Sequence, residues 1–149
     1  MQDKTVLFAT DHAGFELREF VLGHLESLGC TIEDMGPKKQ KDDDDYPDIM
    51  APVAEKISEN PDKYVGIIMG GSGQGEAIVA NRYKNVRAAV FYGGDEDIVR
   101  LSREHNDANV LSLGARFLSA DQAKKAAELW LKTEFSGDER HVRRISKID

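Results

Sequence analysis

The segment that decides the fold is the apolar run Val65-Gly66-Ile67-Ile68-Met69 and the stretch that follows it, Gly70-Gly71-Ser72-Gly73-Gln74-Gly75-Glu76. A nearly continuous apolar run predicts a central parallel strand that is covered on both faces. Four of the six residues at 70–75 are glycines, so successive N–H groups of this glycine loop can turn toward a phosphate or a developing oxyanion. Glu76 stands where the next helix should start. Its carboxylate is interpreted either as a base beside an oxyanion site or as a first-turn residue that complements the helix dipole.

The rest of the chain alternates between strand and helix patterns. Strands are predicted at residues 6–9, 30–35, 64–69, 87–91 and 110–113, and helices at 15–28, 47–59, 76–81, 95–104, 120–132 and 139–147. The alternation predicts an α/β fold: a single Rossmann-like (flavodoxin-like) domain over residues 1–149, with a five-stranded parallel sheet and helices on both faces. Ligands of such sheets bind beyond the carboxyl ends of the strands. Asp11, His12, the glycine loop and Arg116 each follow a predicted strand, so we expect them to converge at that edge.

The composition limits the functional classes. The chain has 149 residues, a net charge of -7, and one cysteine, Cys30. A domain of this length can bury a core without disulfides or metals, and its acidic balance argues against broad nucleic-acid binding. No apolar segment approaches the ~20 residues that span a bilayer, and the start of the chain, Met1-Gln2-Asp3-Lys4, lacks the pattern of a signal peptide. We therefore expect a cytoplasmic protein with no membrane or nucleic-acid partner.

Two familiar glycine fingerprints do not fit the glycine loop. A dinucleotide-binding G-x-G-x-x-G motif would require glycine at Glu76 or at Ile78, and a P-loop would require lysine after its last glycine. The loop therefore favours a small anionic substrate over a nucleotide. The acidic run Asp42-Asp43-Asp44-Asp45 predicts a solvated loop and no metal site, because four adjacent aspartates lack the alternating ligand spacing of a calcium loop.

Two more polar clusters are candidates for the site. Residues 103–109, Arg103-Glu104-His105-Asn106-Asp107-Ala108-Asn109, end a predicted helix, and we expect them to place polar groups on the ligand edge. His105 could shuttle a proton near neutral pH, or it could only cap the helix. In the second cluster, residues 140–144, Arg140 and Arg144 are four positions apart and could form a fork for a phosphate. The alternative is a solvated helix.

Together these motifs resemble one enzyme family. The segments that carry the resemblance are Asp11-His12-Ala13-Gly14, Asp45-Tyr46-Pro47, Gly71-Ser72-Gly73, Ala80-Asn81, residues 103–110, Gly114-Ala115-Arg116 and Arg140-His141. They are similar to the type B ribose-5-phosphate isomerases and the related galactose-6-phosphate isomerase subunits, and the match runs from the first strand to the last helix. The resemblance implies a Rossmann-like fold, a homodimer or dimer of dimers whose active sites draw residues from two subunits, and no metal or organic cofactor.

The resemblance also implies an activity and residue roles. The activity is aldose–ketose isomerisation of a phosphorylated sugar, with interconversion of ribose 5-phosphate and ribulose 5-phosphate as the leading hypothesis. Glu76 would be the base, His105 would open the furanose ring, and Ser72 joins them as a catalytic candidate. The implied substrate-binding residues are Asp11 and Asn106 for the sugar, the loop glycines Gly71, Gly73 and Gly75 for the enediolate, Tyr46 for the pocket wall, and His12, Arg116, Arg140 and Arg144 for the phosphate. The role of His141 stays open.

The chain departs from many family members at one position. They carry a cysteine base immediately before the loop, where this chain has Gly70, and Cys30 is predicted on the second strand, far from the loop in sequence. Another branch of the family has a glutamate after the loop, and Glu76 matches that branch. Two alternatives stay open: an isomerase of another sugar phosphate (allose 6-phosphate, galactose 6-phosphate or erythrulose 4-phosphate), and a non-catalytic phosphosugar or nucleotide sensor.

Overall fold

Five parallel strands form one sheet in the computed structural model, which describes residues 3–148. The strands are β1 (Thr5–Thr10), β2 (Ile32–Asp34), β3 (Tyr64–Gly70), β4 (Ala88–Phe91) and β5 (Val110–Gly114). The helices are α1 (Phe15–Ser27), α2 (Tyr46–Glu59), α3 (Gln74–Ala80), α4 (Asp97–Glu104), α5 (Ala120–Lys132) and α6 (Glu139–Ile145), with a 3-10 turn at His12–Gly14. The predicted α/β class and parallel five-stranded sheet are confirmed. Met1, Gln2 and Asp149, which the predicted domain includes, lie outside the described residues.

The strand order is β2-β1-β3-β5-β4, and every neighbouring pair is parallel. The flavodoxin order is 2-1-3-4-5, so the last two strands are exchanged in this chain. Because β5 lies beside β3, Gly70 is in register with Gly114, and on the other side of β3 Met69 is in register with Thr10 of β1. The carboxyl ends of β1, β3 and β5 therefore lie side by side, and the strand order reverses between β1 and β3.

The central strand β3 joins the two layers of the core, and all seven of its residues are buried. Successive side chains of a strand point to opposite faces of the sheet. Val65, Ile67 and Met69 accordingly pack in the layer of α1 and α5, which includes the fully buried Trp130, whereas Ile68 packs in the layer of α2 and α3. The nearly continuous apolar sequence of β3 is explained by this double coverage.

Local signals define several helix ends. Ser119 and Gln122 form a capping box at the start of α5, in which Ser119 Oγ accepts the Gln122 N–H at 3.2 Å and Gln122 Oε1 accepts the Ser119 N–H at 2.9 Å. α1 ends just before Gly29, whose φ of 78° is left-handed. None of the helices within residues 3–148 combines the length and the apolar character that crossing a membrane requires.

Candidate active site

The residues that follow β1, β3 and β5 line one cleft at the carboxyl edge of the sheet, which we call the Glu76 cleft. Its volume is ≈ 530 Å³, and it is lined by Asp11, His12, Ala13, Tyr46, Gly71, Ser72, Gly75, Glu76, Arg116 and Phe117. The predicted convergence at this edge is therefore confirmed. Of the lining residues, Ala13 lies in a sequence motif but was assigned no role, and Phe117, an exposed aromatic residue, lies in none of the motifs.

The glycine loop is held against the end of β5 through its carbonyl groups. The Gly70 carbonyl accepts the Ala115 N–H at 2.8 Å, and the Gly71 carbonyl accepts the Arg116 N–H at 3.1 Å. A trans peptide places its N–H opposite its carbonyl, so the N–H groups of Gly71 and Ser72 point away from β5. Two neighbouring N–H groups on that side can serve as donors to an oxyanion.

Gly73 shapes the loop from behind the cleft. Its φ of 76° is left-handed, and a Cβ at this position would lie 3.1 Å from the Gly114 nitrogen, so both the conformation and the close approach favour glycine. The Gly73 carbonyl accepts the Ser112 hydroxyl at 2.6 Å. Gly73 is not among the described residues that line the cleft.

Glu76 is a buried carboxylate in the first turn of α3. Only 4% of the residue is exposed, and no ion pair within residues 3–148 includes it. Burial raises the pKa of its carboxyl above the ordinary 4.5, and the charge of Asp11 raises it further, against a lowering by its own backbone N–H. A desolvated carboxylate with a raised pKa can act as a general base.

Asp11 is the second buried carboxylate of the cleft. It caps the 3-10 turn after β1, and its Oδ1 accepts the N–H of Ala13 at 2.8 Å and the N–H of Gly14 at 3.3 Å. Burial raises the pKa of its carboxyl in spite of these hydrogen bonds. The turn fixes Asp11 beside Glu76, where its carboxyl can contact the hydroxyl groups of a bound sugar.

His12 and Arg116 give the cleft a cationic side. His12 Nδ1 lies 2.6 Å from Asp44 Oδ1, and this hydrogen bond raises the pKa of His12 above 6.5, while nearby Arg116 opposes the rise. The same Asp44 oxygen accepts the His12 backbone N–H at 3.3 Å. No ion pair of the described residues includes Arg116, which leaves its guanidinium able to bind an anion. The sequence did not single out Asp44, because nothing in the acidic run distinguishes it from its three neighbours.

Asp11, His12 and Asp44 also bring potential metal ligands together, with atoms that lie within 4.8 Å of one another. Each of these groups is already engaged in a protein hydrogen bond: Asp44 Oδ1 with the His12 ring, and Asp11 Oδ1 with two backbone N–H groups. The hydrogen bond to Asp44 orients the His12 ring.

Tyr46 closes one side of the cleft. It is the first residue of α2, and its ring lies against Gly75: a Cβ on Gly75 would be only 2.7 Å from Tyr46 Cζ. Cys30, in contrast, precedes β2 and packs beside the core on the α1 and α5 side. Burial raises the pKa of its thiol, which disfavours a reactive thiolate.

Residues 103–109 lie at the opposite edge of the sheet, so the prediction that they lie on the ligand edge is wrong. α4 runs back from the carboxyl end of β4 to the amino end of β5, and His105 directly follows it. Asp107 lines a smaller cleft together with Lys4 and Pro61, which precede β1 and β3. The physical reason is topological: in a parallel sheet, the residues that precede a strand lie at the amino edge.

The remaining predicted residues gather around His105. Its ring stacks on the ring of His141 in α6, with centroids 4.4 Å apart and planes at 15°. Burial, followed by the charge of His105, lowers the pKa of His141. Asn106, Arg140 and Arg144 are exposed, and we call these five residues the His105 cluster. None of the described residues of this cluster lines the Glu76 cleft, so the predicted site is divided between two edges of one chain.

Comparison with known proteins identifies the family. The family model Ribose/Galactose Isomerase matches residues 6–148. A probable ribose-5-phosphate isomerase B of Mycoplasma genitalium is 38% identical over 143 residues, which cover 96% of this chain and 92% of that one. The crystal structure of ribose-5-phosphate isomerase B from Mycoplasma genitalium with bound ribulose-5-phosphate has a TM-score of 0.93 and 37% identity, and covers 99% of this chain and 95% of that chain. The structure of the Anaplasma phagocytophilum ribose 5-phosphate isomerase B has a TM-score of 0.90 and 40% identity, with 100% and 99% covered. This chain therefore belongs to the ribose/galactose isomerase family, as its motifs predicted, and is an isomerase.

Proposed function

We propose that the protein is an aldose–ketose isomerase that interconverts ribose 5-phosphate and ribulose 5-phosphate. The observation that carries the proposal is the buried Glu76 carboxylate, which lies beside the glycine loop in a cleft that also holds His12 and Arg116. A base, an oxyanion site and a cationic side are the parts that isomerisation of a phosphorylated sugar needs. The named relatives, one of them with bound ribulose-5-phosphate, support the choice of substrate.

Glu76 would carry the proton transfer. It takes the proton from C2 of the open-chain aldose and returns it to C1, while the proton of the O2 hydroxyl moves to O1. One carboxylate can reach both carbons from one face of the planar enediolate. Its raised pKa makes it a stronger base than a solvated carboxylate, and the N–H groups of Gly71 and Ser72 would stabilise the enediolate oxygen. The Ser72 hydroxyl accepts the Gln74 N–H at 3.3 Å, so its own proton can be donated to a sugar oxygen.

The rest of the Glu76 cleft would hold the ends of the substrate. His12, charged through its hydrogen bond to Asp44, and Arg116 would bind the phosphate. Asp11 would accept hydrogen bonds from sugar hydroxyls, and Tyr46 would shield one side of the chain. Arg140 and Arg144 lie outside this cleft, so they would complete the phosphate site only if a second copy of the chain supplied them.

The division of the site supports an assembly of two copies. The seven residues of β3 separate the two edges of the sheet by roughly 20 Å at ~3.3 Å per residue, too far for Glu76 and His105 of one chain to act on one sugar. The proposal is a homodimer, or a dimer of dimers, in which the His105 cluster of one copy completes the Glu76 cleft of the other. His105 would take the proton of the O1 hydroxyl as the C1–O4 bond breaks and would pass that proton to O4, and Asn106 would assist.

The test is an assay of ribulose 5-phosphate formation in the presence of a metal chelator. The native protein should be active, and Glu76→Gln should lower kcat by about a hundredfold or more while the protein stays folded. Glu26→Gln, an exposed change in α1, is the matched control and should act as the native protein does. Binding of the phosphosugar without turnover by the native protein would refute the enzyme and favour a sensor. Comparison of kcat/KM for ribose 5-phosphate, allose 6-phosphate, galactose 6-phosphate and erythrulose 4-phosphate determines the sugar length.

A further inference from the structure

Asp107 has an unusual backbone conformation two residues after His105. Its φ is 46°, and Asn85 is the other non-glycine residue with positive φ among residues 3–148. A residue with a Cβ is held in the left-handed region only when its surroundings fix it there, and such positions concentrate at functional sites. The contacts that fix Asp107 therefore also fix the turn that carries His105 and Asn106.

Two arginines hold the carboxylate of Asp107, one at each oxygen. Arg103 Nη1 lies 2.7 Å from Oδ1, and Arg87 Nη2 lies 3.0 Å from Oδ2. The same guanidinium groups bind the backbone of the turn: Arg103 Nη1 donates to the Ala108 carbonyl at 2.6 Å, and Arg87 Nε donates to the carbonyls of Asn106 at 3.1 Å and Asp107 at 3.0 Å. Arg87 and Arg103 thus hold the turn through the Asp107 carboxylate and through backbone carbonyls.

Arg103 joins this turn to the interior of the protein. It is only 4% exposed, its Nε donates to the Thr133 carbonyl at 3.3 Å, and its guanidinium lies 5.8 Å from the centre of the Trp130 ring. A buried guanidinium is costly unless a carboxylate pairs with it, so Asp107 and Arg103 depend on each other. The turn is therefore anchored to the end of α5 as well as to α4.

The same region anchors the segment that leads to α6. Beyond Thr133, the Ser136 N–H donates to the carbonyl of Glu104, the last residue of α4, at 3.2 Å. His141 of α6 then stacks on His105. Both rings of this stack are thus connected to the turn that Asp107 holds.

We propose that Asp107, held between Arg87 and Arg103, is a positioning residue that fixes His105 and Asn106 for the ring-opening step. This inference rests on the proposed function, in which His105 acts on the sugar bound in the Glu76 cleft of a second copy. In this assembly His105 acts in the active site of another subunit, whose core does not hold its side chain. The turn that carries His105 must therefore fix its position. Displacement of a catalytic group by about 1 Å can cost a hundredfold in rate.

The ring step and the proton transfer can be measured apart. Ribulose 5-phosphate has no furanose form, because the phosphate blocks O5. In D2O, Glu76 removes a proton from C1 of this ketose, the enediolate forms, and an exchanged Glu76 returns a deuteron to C1. This exchange needs no ring chemistry. Conversion of cyclic ribose 5-phosphate to the ketose needs ring opening in addition, so net conversion is measured in this direction. In the reverse direction, an open-chain aldose that leaves the enzyme closes its ring without catalysis.

Two variants test the proposal against one control. Asp107→Asn removes the charge that both arginines bind. Arg87→Lys is the milder variant, because the Arg87 side chain is 18% exposed and lysine keeps the charge but cannot span the carboxylate and two carbonyls. Asp121→Asn removes an exposed ion pair to Lys124 and should leave both rates unchanged. Net conversion should fall at least about tenfold in the two turn variants, with exchange at C1 falling less than about threefold.

The outcome is read from the ratio of exchange to conversion. The positioning role is supported if this ratio rises in both turn variants while circular dichroism shows an unchanged folded fraction. If exchange and conversion fall in parallel, Asp107 only stabilises the fold. If both rates are unchanged, the contacts of Asp107 with Arg87 and Arg103 are not needed to position His105. Either result overturns the inference. A native protein that catalyses neither reaction would instead refute the proposed function, and this is measured before any variant.

Discussion

A Cβ on Gly70 would overlap the carboxylate of Glu76, and even the farther oxygen, Oε2, would be only 2.8 Å away. The carboxylate therefore occupies the space that a side chain at position 70 would need. This gives a steric reason why the chain has glycine and not cysteine at position 70. A cysteine at position 70 would therefore require the Glu76 carboxylate to leave this position.

The first prediction follows from that overlap. Gly70→Ala should push the Glu76 carboxylate out of its position and lower kcat by about a hundredfold, because the proton-transfer group is misplaced. The matched control is Gly23→Ala in α1, where a Cβ would meet nothing within 4 Å. Steady-state kinetics of both variants, with circular dichroism for the fold, make the comparison. If Gly70→Ala keeps native turnover, then the observed position of Glu76 is not the one used in catalysis.

A second prediction concerns the pH dependence of Glu76. Burial raises the pKa of its carboxyl above 4.5, so kcat/KM should fall as the pH drops through that raised pKa and the base is protonated. Stability should change in the opposite sense. The folded state holds this proton more tightly than the unfolded state, so the contribution of Glu76 to stability is greatest at low pH and declines as the pH rises from 4.5 through the raised pKa.

Glu76→Gln separates these two effects. The variant cannot ionise, so it should lose activity but have a higher Tm than the native protein at neutral pH, and the difference in Tm should vanish in acid. Thermal unfolding followed by circular dichroism from acidic to neutral pH measures this difference. A variant that is less stable than the native protein at neutral pH would contradict the raised pKa.

The features that depend on local sequence patterns could be predicted from the sequence. The apolar run before the glycine loop predicted the central strand, and the alternation of elements predicted a sheet edge where Asp11, Glu76 and Arg116 meet. Parallel strands bring their carboxyl ends to one edge whatever their order, so the shared edge could be predicted. The direct contact of the glycine loop with Arg116 also requires that β5 lies beside β3. The exchange of β4 and β5 could not be predicted, because no sequence pattern reports which strand is the neighbour of β3.

Two further features depend on tertiary contacts. The contact of Asp44 with His12 joins residues 32 positions apart, and the acidic run offers four equivalent candidates for it. The location of His105 at the amino edge of the sheet could have been predicted, because His105 precedes β5. The resemblance to a family with shared active sites groups His105 with Glu76 by function, whereas in one chain the fold separates them.

The third prediction tests the contact between Asp44 and His12. Asp44→Asn should lower the pKa of His12 by weakening the hydrogen bond that raises it, so the imidazolium is lost at a lower pH. Because His12 is expected to bind the phosphate, KM should rise about threefold to tenfold between the lowered pKa of the variant and the raised pKa of the native His12, where only the native imidazole is charged. The difference should shrink in mild acid and well above the native pKa, with little change in kcat. Asp43→Asn, one residue away and exposed, is the control. Equal KM values for the two variants across the pH range would show that Asp44 does not tune His12.

The last prediction addresses the shared site through complementation. In the proposed assembly, a copy with Glu76→Gln still supplies His105, and a copy with His105→Asn still supplies Glu76. A mixed dimer of the two inactive variants therefore contains one intact site and one with both defects. Random mixing makes half of the dimers mixed, so the unfractionated mixture should recover about a quarter of the native activity, and isolated mixed dimers about a half.

Co-expression of the two variants with different affinity tags, followed by two-step purification, isolates the mixed dimers for the assay. The control pairs Glu76→Gln with the double variant Glu76→Gln and His105→Asn, which offers no intact base in any combination and should stay inactive. A site built within one chain gives the opposite result, because every chain in the first mixture carries a defect and no pairing repairs it. Recovery in the first mixture alone thus requires that Glu76 and His105, at opposite edges of one sheet, act together across two copies.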